Sequence, residues 1–193
     1  MICKRYAVTR DGEFATRDAD GEKYIEGYFA LYNSRYELFE GAYETIDPGA
    51  FDGQVEGDVR ALTNHDTTLV LGRTAAGTLA LKLDDRGLLG SIKINGADQD
   101  AVNLYERVKR RDVTQCSFGF DILDETAETS EGGATVWHLR KVRLYEVSVV
   151  TFPAYEDTGV AARKAEQAET EKRRREQWRA RMTARLKGVN NGT

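Results

Sequence analysis

The chain has 193 residues, 40% hydrophobic and 31% charged, with a formal net charge of −4. That length suits one domain of ordinary size with an appendage, and that composition a modest core under a wet surface. No run of 18 apolar residues occurs, so no transmembrane helix is expected, and the first six residues lack the apolar core of a signal peptide, which points to the cytoplasm.

Residues 1–22 are polar with scattered apolar positions, and residues 23–30, Lys-Tyr-Ile-Glu-Gly-Tyr-Phe-Ala, have the aromatic and β-branched content of a strand. Residues 33–41 read as loop and 43–46 as a short strand. Asp47-Pro48-Gly49 is a turn signal at which a short helix is expected to start, with Pro48 in its first turn. A β-meander follows. It runs from 59–63 into the polar break Asn64-His65-Asp66, then through 69–74 and 78–83, where period-two alternation buries one face, to 88–94.

Residues 98–111 read as a helix, with Val102, Tyr105 and Val108 at three-residue spacing and a basic C-terminal end. Residues 113–123 form a strand with Cys116, Phe118 and Phe120 on one face and Ser117 and Gly119 on the other. A polar hairpin loop is expected at 124–134. A long strand follows over 135–151, ended by Pro153. From Thr158 the pattern turns helical, with a thin stripe of Trp178, Met182 and Leu186. From Arg163 onward the chain carries ten Lys/Arg and four Asp/Glu, against 18 and 28 in the rest, so an acidic body (1–160) carries a basic helical tail (161–193).

Three polar residues stand out. His65 is either an accessible general base or a surface histidine bonded within a turn. Ser117 is either a nucleophile or an ordinary strand serine, and Gly119 beside it admits a close approach by substrate or by another strand. Glu146 lies in a run whose two faces both look buried, so it needs a partner, either an arginine or His65. A divalent metal held by His65, Asp66, His138 and Glu146 is the rival chemistry, but no metal-binding spacing supports it and no cofactor or metal is expected. The cysteines, Cys3 and Cys116, suggest no disulfide framework, and Cys116 reads as a small buried apolar residue. The basic run at 172–175 is interleaved with acidic residues and short of aromatics, which favours a solvated helix face over nucleic-acid binding.

In order, Glu26-Gly27-Tyr28-Phe29-Ala30, Ile46-Asp47-Pro48-Gly49-Ala50-Phe51, Asn64-His65-Asp66, Leu71-Gly72-Arg73-Thr74, Ser117-Phe118-Gly119-Phe120 and Leu144-Tyr145-Glu146-Val147-Ser148-Val149-Val150-Thr151 with Pro153-Ala154-Tyr155 resemble the prohead proteases of tailed phages. The likeness spans about residues 24–160. It implies a mainly β fold with flanking helices, an antiparallel β-barrel like that of herpesvirus assemblin. It also implies a serine endopeptidase working inside the prohead, in the host cytoplasm, on scaffold or the scaffold-like segment of the major capsid protein and on itself. A non-enzymatic internal scaffold is the alternative. Carried over residue by residue, Ser117 is the nucleophile, His65 the base and Glu146 the third member. His138 and Asp66 are the other choices for that third place, and Arg73 or backbone N–H groups are the candidate oxyanion donors. Capsid protein and self-association are the expected partners, with no membrane and no direct nucleic-acid contact.

Overall fold

The structure, a computed structural model, describes residues 5–9, 14–152 and 157–189. The expectations for Cys3 and for Pro153, Ala154 and Tyr155 lie outside these residues. In chain order the elements are β1 (Arg5–Thr9), β2 (Ala15–Ala19), β3 (Glu22–Leu31), β4 (Tyr36–Phe39), β5 (Ala42–Ile46), β6 (Arg60–Thr63), β7 (Asp66–Arg73), β8 (Leu79–Leu83), β9 (Gly87–Ile94), α1 (Gln99–Lys109), β10 (Gln115–Thr129), β11 (Thr135–Val150) and α2 (Asp157–Val189). The mainly β architecture with flanking helices agrees with the sequence.

The strands form two sheets, one ordered β2-β3-β9-β8 and wholly antiparallel, the other with seven strands built around β11. One edge of β11 takes β10, which in turn carries β1. The other edge is long enough to be shared. β5 runs parallel to its first half and β6 parallel to its second, so this sheet is mixed rather than purely antiparallel. Parallel partners this remote in sequence leave no turn signal to read. The expected meander is likewise divided: β6–β7 and β8–β9 are hairpins in different sheets.

The core is made by the alternation of each strand. Ile25 and Phe29 of β3 and Leu88 and Ile92 of β9 belong to one apolar cluster with Phe118, Phe120, Val147 and Val149 of the large sheet. Phe118 stacks on Phe120 at 4.8 Å and meets Phe51 edge-on at 5.3 Å. Each such ring contributes roughly 2–3 kcal/mol by leaving water. Cys116 is fully buried, as expected of a small apolar residue, and its Sγ donates to Tyr28 O at 2.9 Å. Helix α1 starts at Asp98, whose carboxylate accepts from the N–H groups of Asp100 and Ala101, a cap worth about 1 kcal/mol. It buries Ala101, Leu104, Tyr105 and Val108, and Val102 lies at the margin.

Three local expectations change. Residues 47–57 form successive i→i+3 turns rather than a helix, because Gly49 and Gly53 take positive φ and interrupt it. Residues 36–39 of the supposed loop are strand β4, paired with β5. The polar stretch after Leu123 continues β10 to Thr129. Most of its residues there are exposed, so no alternation marks it as strand.

Candidate active site

β6 ends opposite Val149, near the end of β11, and the chain reverses into β7 through two residues, Asn64 and His65. Both have positive φ, 50° and 61°, the geometry of a two-residue hairpin turn that usually carries Asn-Gly. Holding a histidine in this left-handed region costs about 1–2 kcal/mol, and such strain concentrates at functional positions. The turn is fastened to β11 by the Asn64 N–H to Val149 O at 3.0 Å, by the Thr151 N–H to Asn64 Oδ1 at 2.8 Å, and by the His65 N–H to Ser148 Oγ at 3.3 Å.

This turn brings the His65 ring back over β11. Its Nδ1 lies 2.7 Å from Glu146 Oε1, and both side chains are about nine-tenths buried. A carboxylate only accepts, so Nδ1 carries the proton and Nε2, also buried, is the basic atom. The other carboxylate oxygen, Oε2, accepts from Ser148 Oγ at 2.5 Å. These two bonds replace the water that a buried carboxylate gives up.

Ser117 stands directly opposite Ser148 in the β10–β11 register, and Gly119 opposite Glu146. Directly opposed residues share a face, with Cβ atoms roughly 4.5–5.5 Å apart. Ser117 therefore lies on the face that carries Ser148, Glu146 and the His65 ring, at one end of the strand pair. Ser117 is fully buried.

The other sequence candidates lie elsewhere. His138 is also on β11 but eight residues back, about 26 Å of extended chain from Glu146. Its Nδ1 pairs with Asp47 Oδ1 at 3.0 Å. Asp66 is exposed, and its carboxylate accepts from the backbone N–H and the hydroxyl of Thr68, which hold it below the usual carboxylate range. Arg73 is engaged by Asp58 through Nε and Nη2 at 2.7 and 2.6 Å. The four residues of the rival metal site therefore do not converge. Ser148 and Asn64 are participants that sequence reasoning missed. The signal for Ser148 was its place two residues after Glu146 on the same face.

A family model described as caudovirus prohead serine protease matches residues 11–173. The prohead protease of Enterobacteria phage HK97 is 28% identical over 151 residues, covering 76% of this chain and 63% of that relative. The match thus spans less than two thirds of the relative's length. Among solved structures, the bacteriophage T4 capsid assembly protease aligns with a TM-score of 0.46 at 11% identity, covering 76% of this chain and 98% of that one. Since the family model runs from before β2 well into α2 and takes in every residue of the site, the chain belongs to the caudovirus prohead serine protease family.

Proposed function

We propose that the chain is a prohead maturation protease, a serine endopeptidase with Ser117 as nucleophile, His65 as general base and Glu146 as the group that orients and charges the imidazole. The observation that carries this reading is the 2.7 Å contact between Glu146 and His65 Nδ1, on the face where the register places Ser117. His65 Nε2 takes the Ser117 hydroxyl proton as Oγ attacks the scissile carbonyl. The imidazolium so formed is stabilised by Glu146 and returns the proton to the leaving amine. Water then attacks the acyl-enzyme by the same base catalysis, releasing the acid and restoring Ser117.

The substrates proposed are scaffold, or the scaffold-like segment of the major capsid protein, and the chain itself, inside the prohead. The basic tail against an acidic body, with the described side chains of 175–183 exposed at all but one position, supports docking onto an acidic scaffold or capsid segment. Full burial of Ser117 suits a protease that must stay silent until it is enclosed with its substrate. Ser117→Ala is the test, with a mass spectrum of the capsid protein from wild-type and variant particles. Full-length capsid protein in the variant alone supports the reading. Shortened protein in both removes Ser117 from the chemistry and favours an internal scaffold role.

A further inference from the structure

We propose that Ser148 and Gly119 are positioning residues for the Glu146–His65 pair, Ser148 as a clamp and Gly119 as the space in which the carboxylate lies. The inference deepens the proposed serine-protease reading and rests on it.

Glu146 points from the middle of a strand, and a free glutamate side chain has several rotamers, only some of which reach His65 Nδ1. Two features select among them. Ser148, with no exposed surface, uses its one hydroxyl in two directions: Oγ donates to Glu146 Oε2 at 2.5 Å and accepts the His65 N–H at 3.3 Å. One atom thus fixes the carboxylate relative to the backbone of the residue whose ring it must meet. Gly119 supplies the room. A Cβ there would lie 2.5 Å from Glu146 Oε1, 3.1 Å from Cγ and 3.2 Å from Cδ. Oε1 is the oxygen that holds Nδ1. Gly119 does not have a positive φ, so its glycine is required for space and not for backbone freedom. The sequence suggested that this glycine admits a substrate or another strand. The space instead holds the enzyme's own carboxylate.

A filler role and a positioning role predict different things. If Gly119 merely packs, Gly119→Ala harms folding and its effect combines with that of Glu146→Ala. If it positions, the alanine acts by displacing the carboxylate, and truncating Glu146 removes all three crowded atoms. The experiment compares wild type, Gly119→Ala, Ser148→Ala, Glu146→Ala and the double variant Gly119→Ala/Glu146→Ala. Capsid-protein processing is followed in proheads, and on the purified full chain the downfield proton resonance of the His65 Nδ1–H is recorded together with a thermal melt. The expected result is a loss of roughly 10²–10⁴-fold in processing for Gly119→Ala, equal to that of Glu146→Ala. No further loss is expected in the double variant, since groups acting as a unit are not additive. Ser148→Ala loses about tenfold or more. The resonance disappears or moves in Gly119→Ala and Ser148→Ala, and the double variant melts no lower than Gly119→Ala.

Wild-type processing in Gly119→Ala, or losses that multiply in the double variant, would overturn the proposal. If Glu146→Ala processes normally, the three-residue reading fails instead. Positioning is then decided by the resonance, upheld if Gly119→Ala abolishes it and rejected if the signal is unchanged.

Discussion

Two acidic sites draw on the same long strand, one near each end of β11, and each holds a buried carboxylate against a cation or potential cation. Near its start, Glu44 on the neighbouring β5 faces Arg163 of α2, whose Nη2 lies 3.1 Å from Oε2. Glu125 and Glu166 complete the ring around the guanidinium, which sits over Trp137 at 4.7 Å and is 1% exposed. Burial works against the charged guanidinium, but the hydrogen bonds it donates to Glu125 and the charge of Glu44 outweigh it, leaving Arg163 more firmly protonated than a free arginine. Near the end, Glu146 faces a histidine. An arginine partner makes a permanent charge and therefore a fastening, whereas a histidine partner can gain and lose its proton near neutral pH and can therefore work. The sequence left both partners open for Glu146. The fold gives the arginine to Glu44 and the histidine to Glu146.

The largest effect should come from removing charge at the end of β11 where the proposed chemistry lies. Glu146→Gln keeps the shape but presents an amide to Nδ1. We expect processing of the capsid protein to fall by about 10³–10⁴-fold, equivalent to roughly 4–5.5 kcal/mol of barrier, with a melting change of about 1 kcal/mol or less. Arg163→Met reverses the pattern. It strands Glu44 without its cation and should cost about 3–5 kcal/mol of stability by denaturant titration, while the folded fraction processes at the wild-type rate. If Glu146→Gln chiefly unfolds the chain, or Arg163→Met chiefly slows it, the two ends have been read the wrong way round.

Truncation sharpens the boundary between body and tail. The sequence places it near residue 160. Yet Arg163 is buried in the body, and Arg174 donates to Ser130 O and Glu131 O at 3.3 and 2.9 Å, so α2 is fastened down at Arg163 and again at Arg174. Beyond it, Trp178 is largely exposed. Deleting residues 163–193 should therefore cost as much stability as Arg163→Met. Deleting 175–193 should leave the melting temperature within about 2 °C, since the described side chains of that stretch, 175–183, are exposed at all but one position and exposed residues contribute little. The amount of the protein found in proheads should fall with the shorter deletion if, as proposed, residues 175–193 dock on scaffold or capsid protein.

The contrast between the ends also explains what could be read in advance. Helix α1, strands β3, β5 and β9, and the long β11 carry local signals: a cap, a periodicity or a β-branched run. Ser117 and Glu146 were visible as polar residues set among apolar neighbours, and His65 as an imidazole in a polar break between two apolar stretches. Their placement on one face was not, since that of His65 depends on β6 running parallel to the second half of β11, a pairing with no local mark. Gly119 was noticed for the wrong reason, because a glycine shows that room is needed but not which atom fills it. Arg163 looked like one more basic residue of a solvated helix. Only the sheet beneath it, with Glu44 and Trp137 in place, makes it an anchor.

A third carboxylate with an arginine partner separates pairing from burial. Glu26 on β3 accepts from Arg17 at 2.9–3.2 Å and from Ser91 Oγ at 2.7 Å, but about a third of its side chain is exposed. The Arg17 hydrogen bond, opposed in part by desolvation, holds its carboxyl below the ordinary value. A carboxyl whose folded pKa is depressed contributes fully above its unfolded pKa, roughly 4.3, and that contribution is lost as the pH falls through the lower folded value. Glu26→Gln should therefore melt below wild type at pH 7 by well under 1 kcal/mol, given solvent screening, and the gap should close as the pH falls through the lowered folded value. Melts of both proteins across that range measure it. A gap at pH 7 as large as that of Arg163→Met would mean that an arginine partner alone sets the energy. A small gap that closes in acid assigns the difference to burial, which is what the two ends of β11 share and the surface pair lacks.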